Sequence, residues 1–398
     1  MSERIILTNK QARKFMLLKH GLIGSYRFSG KQGVLDFVRQ AGCIQFDPID
    51  ICGKNAELVL HSRVKGFTKE TLYSLLYKER TLLDYFDKNL AIMLTTDWPY
   101  FRRFREVYKT SVRSLDKVNA VSRQIRNIIL EKGPVCSSDI GMNEKVDWYW
   151  NSTNLSRAAL EAMYFRGELV IHHKKGTVKY YDLAENAICS EVLNASDPIE
   201  DDFEHKKWRV LRRIGGVGLL WNRASDAWLN IPELNTNERN RIFKELVDEG
   251  KITEVVVENI KDSLYCLSGD LALIDTVLKD TELKGRCEVL APLDNMLWDR
   301  RLIRELFGFE YKWEVYIPKN QRKFGYYVLP LLYGDRFIGR VEPVCDRKEK
   351  TMALENIWYE KDIKQTGKLQ KAVEDCMHRL AEFNGCSFVG CGRKLDAL

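Results

Sequence analysis

The chain has 398 residues, a length that fits two to four domains at roughly 100–200 residues each. Hydrophobic residues make up 45% and aromatic residues 11%, enough for buried cores, and 30% charged residues provide a well-solvated surface. The excess of 63 Lys and Arg over 56 Asp and Glu leaves +7, which permits a nucleic-acid partner without requiring one, and no apolar run approaches the ~18 residues of a membrane-spanning helix.

The opening residues, MSERIILTNKQARKF, carry polar groups where a signal peptide needs an apolar stretch. The ten cysteines form no CxxC pair. Cys386 and Cys391 are close in sequence, but no second pair nearby completes a zinc pattern. Free thiols in a reducing cytosol are the expectation, in a soluble intracellular protein.

Thr8 is placed to cap a helix over residues 10–19, and a second helix is expected over 30–40. The run CIQFDPI (Cys43–Ile49) is too short and too close to Pro48 for a helix. Helices follow at 69–77 and 98–114, the latter strongly basic with Arg102, Arg103, Arg105, Lys109 and Arg113. An amphipathic stretch at 121–132 ends at Gly133-Pro134, and a short helix can start at 137–140. Residues 154–183 and 237–267 then echo each other. Each reads as an amphipathic helix, a stop glycine (Gly167 or Gly250), a β-rich segment, a charged tip and a second β-rich segment. That is the order of a winged helix, with Lys174 and Lys175 at one wing tip and residues 206–214 as a first helix for the second copy. The first ~115 residues look like a variant of the same plan. Beyond 285 the chain turns strand-rich, suggesting an antiparallel sheet or small barrel. A hairpin at 318–323 would carry Lys319, Arg322 and Lys323, and a helix closes the chain at 369–383. The fold class expected is α+β, with three tandem winged-helix motifs (1–115, 116–190 and 191–275) and a C-terminal antiparallel β-barrel-like domain (276–398).

Gln45 and Asp47 stand two apart in the extended run, and residues i and i+2 of extended chain share a face. Proline at 48 disfavours a helical Asp47. Ile44, Phe46 and Pro48 would then anchor the opposite face, leaving a preorganised amide and carboxylate. On pattern alone an ordinary turn, with Asp47 capping residue 49 or 50 and Gln45 exposed, is the better reading. The histidines form no metal-ligand set, and His172 and His173, adjacent in a strand, should face opposite sides. P-loop, GxGxxG, GxSxG and HExxH patterns are absent. The run RRIGGVGLL (Arg212–Leu220) has glycines without a preceding strand.

CIQFDPI, with LVLHSRVKGF (Leu58–Phe67), resembles the N-terminal signature of the YcaQ/AlkZ family of bacterial DNA glycosylases. The block from LAPLDNMLWDRR to RFIGRVEP (Leu290–Pro343) resembles its C-terminal signature. The resemblance implies winged helices and a β-barrel-like domain around a basic cleft. It implies removal of N-alkylated purines and unhooking of interstrand crosslinks. The family's glutamine, apolar, glutamine-or-aspartate motif falls on Gln45, Phe46 and Asp47. Asp47 where one branch has a second glutamine places the chain nearer the YcaQ branch, and Asn55 falls in a region where many relatives carry a histidine. The implied protein is a monofunctional glycosylase without cofactor or metal. It would be monomeric, cytoplasmic and nucleoid-associated, and would act on double-stranded DNA with alkylated or crosslinked purines. Arg63, Arg102, Arg103, Arg105, Lys174, Lys175, Lys319, Arg322 and Lys323 are its candidate DNA contacts. The competing class, a non-enzymatic winged-helix DNA-binding protein or transcription regulator, shares the basic elements and gives no reason for Gln45 beside Asp47.

Overall fold

In the computed structural model, which describes residues 4–149, 151–279 and 282–391, the first helix begins where its cap dictates. The Thr8 hydroxyl accepts the Gln11 N–H at 3.2 Å and the Thr8 N–H donates to the Gln11 side chain at 2.9 Å, a reciprocal capping box for helix Asn9–Lys19. Helices Gly30–Ala41, Lys69–Tyr77 and Ser137–Ile140 also lie where the pattern puts them. The basic stretch is two elements: a 3₁₀ segment, Thr95–Phe101, which contains Pro99, and then the α-helix Arg102–Ser111.

The chain forms two compact units. One comprises Met1–Thr71, Phe86–Ala91 and Lys206–Leu398, the other Leu72–Tyr85 and Ile92–His205. Both units contain the helix–glycine–hairpin order. In the smaller unit, helix Leu155–Phe165 ends before Gly167 (φ +74°) and the hairpin Leu169–Lys175/Val178–Leu183. A side chain on Gly167 would overlap Arg105. In the larger unit, helix Thr236–Asp248 precedes Gly250 (φ +66°) and the strands Ile252–Val257 and Leu264–Leu267. Ile5–Leu7 joins this sheet in parallel, and Leu220–Trp221 closes its other edge. After Gly42 the chain makes only the short strand Ile44–Gln45 before another helix, Asn55–His61, with no hairpin directly following.

The C-terminal region holds a five-stranded sheet curled as a half-barrel: Cys287–Val289, Leu329–Tyr333, Arg336–Asp346, Thr351–Tyr359 and Ser387–Cys391. Its first four strands are antiparallel, as expected, and the last pairs in parallel. Pro343, which has no N–H to give the ladder, sits at a register shift. The expected hairpin at 318–323 is instead a loop with one 3₁₀ turn, Lys319–Gln321. The N–H groups a strand would use are taken by carboxylates: Lys323 and Phe324 donate to Glu314 at 3.1 and 2.8 Å, and Tyr326 donates to Glu342 at 2.8 Å. Helix Gly367–Phe383 follows, with Gly385 at φ +67°. Among the described residues, no helix is long and apolar enough to cross a membrane.

One hairpin escaped the sequence reading. Leu82–Phe86 and Leu90–Leu94 are strands joined by a tight turn in which the Asp87 N–H donates to the Asn89 carbonyl at 2.9 Å. The turn belongs to the larger unit. Its Asp87 carboxylate is fully buried and meets Arg213 at 2.7 Å, Arg209 at 2.8 Å and Arg212 at 3.2 Å, all from helix Asp202–Val217. That helix approaches the Gly30–Ala41 helix so closely that a Cβ on Gly216 would lie 2.6 Å from the Ala41 carbonyl oxygen. The glycines of RRIGGVGLL therefore serve packing. Burial alone would raise the Asp87 pKa, but the three guanidiniums outweigh it and hold the group well below the usual range. A depressed carboxylate stabilises above its unfolded value of ~3.9 and loses that stability as pH falls through the folded value. Asp87→Asn should cost about 3–5 kcal/mol, because it leaves buried cations without their counter-ion. Urea unfolding at neutral pH checks this, and a destabilisation below ~1 kcal/mol would contradict it.

Candidate active site

Residues 43–47 are pinned from several sides. The Phe46 N–H donates to the Leu90 carbonyl at 2.8 Å. Asn55 donates to the Gln45 carbonyl at 2.7 Å and accepts the Leu293 N–H at 2.9 Å. Asn295 donates to the Cys43 carbonyl at 2.8 Å, and Arg212 donates to the Gly42 carbonyl at 2.6 Å. Asp294 pairs with Arg63 at 2.6 Å, with neither side chain exposed. The two sequence blocks that carry the resemblance are thus bound to each other through Asn55, Asn295 and the Arg63–Asp294 pair.

The expected two-faced strand is corrected on both faces. Ile44 is buried, but so are Gln45 (7% exposed) and Asp47 (8%), while Phe46 is half-buried and Pro48 exposed. The polar side meets protein too, so it is not the open face of a turn. The capping contact is nevertheless present: Asp47 Oδ1 accepts the Ile49 N–H at 2.9 Å.

Burial pushes the Asp47 carboxyl up from its ordinary value, and the Ile49 N–H pulls it partly back. Among the described residues no cation pairs with it. Two tyrosines lie within reach of its charge. Tyr327 is buried and donates to the Gly53 carbonyl at 3.3 Å, and Tyr316 is 78% exposed, with its ring 5.7 Å from that of Trp313. Burial is the largest cause of the upward shift of each phenol, and the Asp47 charge adds to it.

Lys88, in the turn after Asp87, is buried and points its Nζ at Gln45 Oε1, 3.4 Å away. The same Nζ is 5.3 Å from the Trp298 ring centroid. Lys88, Asn55 and Tyr316 were not singled out as site residues from sequence. The apolar runs LLDYF and LAIML around a polar Asp87-Lys88-Asn89 were a usable hairpin signal, but the contact to Gln45 has no local signature.

The candidate DNA contacts separate into two groups. Arg63, Arg103, Arg105 and Lys174 hold protein partners. Arg63 is buried against Asp294. Arg103 donates to Asp197 at 3.0 Å and also meets Asp202 and the Ile199 carbonyl. Arg105 is buried, donates to the Trp98 carbonyl at 2.8 Å and lies 4.0 Å from that ring's centroid. Lys174 turns back to Asp84 at 2.7 Å, with little of its side chain exposed. Arg102, Lys175, Lys319 and Lys323 are exposed, and Arg322, half-buried, donates to the Ile317 carbonyl at 2.8 Å. His172 and His173 do not diverge as adjacent strand residues should. Their Nδ1 atoms are 2.8 Å apart beside a register shift, and His173 stacks on Tyr180.

Comparison with known proteins shows the family and the fold. A family model described as DNA glycosylase AlkZ-like matches residues 38–383. That span includes Gln45, Asp47, Asn55, Lys88 and Leu290–Pro343. Among solved structures, the chain is similar to the DNA glycosylase AlkZ of Streptomyces sahachiroi, with a TM-score of 0.64 and 15% identity, over 98% of this chain and 100% of that one. At that identity the likeness concerns the fold. The family match over most of the sequence shows that the chain belongs to the AlkZ-like DNA glycosylase family.

Proposed function

We propose that this protein is a monofunctional DNA glycosylase that hydrolyses the N-glycosidic bond of N7-alkylated purines in double-stranded DNA and unhooks interstrand crosslinks by the same chemistry. The observation that carries the proposal is Asp47: a buried carboxylate with no paired cation among the described residues, beside Gln45 on a backbone pinned by Asn55. Alkylation at N7 makes the purine a cation that leaves as a neutral base, so the leaving group needs no proton. The enzyme's task is to stabilise an oxocarbenium-like sugar and to place water. The Asp47 carboxylate opposes the developing positive charge and accepts a proton from the water. At ~4 Å and an effective dielectric of ~20 that attraction is on the order of 4 kcal/mol before desolvation costs. No lysine attacks the sugar, so the product is an abasic site without a Schiff base.

In this proposal the two helix–glycine–hairpin units, with a variant in residues 1–115, act as winged helices on DNA. The Gln-x-Asp motif sets the chain beside the YcaQ branch. A crosslinked base is tethered to the opposite strand, so it is excised from an open cleft without full extrusion. The protein acts as a monomer without a cofactor.

The test incubates a duplex containing N7-methylguanine with the protein and cleaves abasic sites with hydroxide. Asp47→Asn should lower excision by about 10²–10⁴-fold, and Gln45→Ala should also lower it. Borohydride should trap no covalent adduct. Because the fold raises the Asp47 pKa, ionised Asp47 costs stability above its unfolded value of ~3.9. Asp47→Asn should therefore melt no lower than the parent at neutral pH. Unchanged excision in both variants would leave the non-enzymatic DNA-binding class standing.

Phosphate contacts should give affinity a steep salt dependence. Replacing Arg102, Lys319 or Lys323 with Ala should shrink the slope of log K against log salt by about 0.9 for each phosphate no longer neutralised. An unchanged slope would move the DNA path off these residues.

A further inference from the structure

The turn that carries Lys88 is held at both ends. Asp87 is locked among Arg209, Arg212 and Arg213. The Lys88 carbonyl accepts from Asn230 Nδ2 at 2.7 Å. The side chain is confined by Trp298 and ends 3.4 Å from Gln45 Oε1. A protonated lysine only donates, and Oε1 is the only acceptor on a glutamine side chain. The contact therefore decides which end of the Gln45 amide faces Lys88 and which end is left for substrate. Among the described residues no protein group bonds Gln45 Nε2.

We infer that Lys88 is a positioning residue, which holds the Gln45 amide with its oxygen turned away from substrate and its NH₂ turned toward it. Gln45 then works as a donor and Asp47 as the acceptor of the pair. A water between them accepts from Gln45 Nε2 and donates a proton to Asp47, which leaves a lone pair for attack at the sugar carbon. Had the amide faced the other way, two acceptors would compete for the water's protons and nothing would hold its oxygen. This role presupposes that Gln45 and Asp47 form the bond-breaking centre.

The surroundings make the contact pH-sensitive. Burial is the main cause that pulls the Lys88 pKa down, to about 8, with repulsion from Arg213 and Arg300, while Cys43 and Asp226 favour the charged form. A neutral amine can accept as well as donate, so above that pH the amide is free to turn over and its orientation is lost.

Single-turnover excision across pH, with saturating protein, tests this. The parent should lose rate on the alkaline side with a midpoint near about 8. Lys88→Met should cost on the order of 10-fold at neutral pH, comparable to removing one positioning hydrogen bond, with the alkaline limb gone and DNA affinity unchanged. Lys88→Arg should recover most of the rate and move the limb beyond the measurable range. In a Gln45→Ala background, Lys88→Met should cost nothing further. Equal rate reductions in both backgrounds, or a limb unmoved in Lys88→Arg, would overturn the inference while leaving the catalytic pair intact. Full activity in Gln45→Ala would instead remove the catalytic pair itself. Should Lys88→Met fail to fold, the Lys88→Arg profile alone decides.

Discussion

One buried carboxylate, Asp87, anchors the architecture around Gln45. Three arginines of a single helix converge on it, and none of the four side chains is substantially exposed. Removing four charges from water is expensive, and the cluster holds only because each guanidinium finds a carboxylate oxygen or a carbonyl. Arg212 reaches Gly42 and Arg209 reaches the Asn230 carbonyl. The cluster therefore sets the distance between three things: the helix, the turn that carries Lys88 and the strand that carries Gln45. Burial is the largest cause of both nearby shifts: it pulls Lys88 down, with repulsion from Arg213 of the cluster adding to it, and pushes Asp47 up.

Asp47 and Asp87 show the same residue type in opposite service. Asp87 is surrounded by cations and kept ionised, so it is chemically quiet. Asp47 is buried with no paired cation among the described residues, so in the proposed function its charge is available to a cationic transition state. An arginine beside Asp47 would stabilise the resting carboxylate and blunt that attraction.

Much of the fold was legible because local physics wrote it. Thr8 with Gln11, the stop glycines Gly167 and Gly250 and the helical spacing before them are short-range signals, and the structure follows them. The parts that were not legible depend on distant partners. Arg63, Arg105 and Lys174 read as candidate DNA contacts, and the sequence gives no local sign that Asp294, the Trp98 carbonyl and Asp84 bond them. Gln45 and Asp47 could be placed on one side of a strand, but not that this side would be covered. The 318–323 loop read as a hairpin because nothing local shows that the Lys323 N–H, and those of Phe324 and Tyr326 just beyond it, go to Glu314 and Glu342.

The central claim is that excision depends on an ionised Asp47 whose pKa is raised by burial. The most direct measurement is the acid side of the single-turnover pH–rate profile for N7-methylguanine excision from duplex DNA. The account predicts that the rate falls with decreasing pH at a midpoint above the ~3.9 of an unperturbed aspartate, since protonation removes both the charge and the base. A rate that stays flat down through that ordinary value would contradict it.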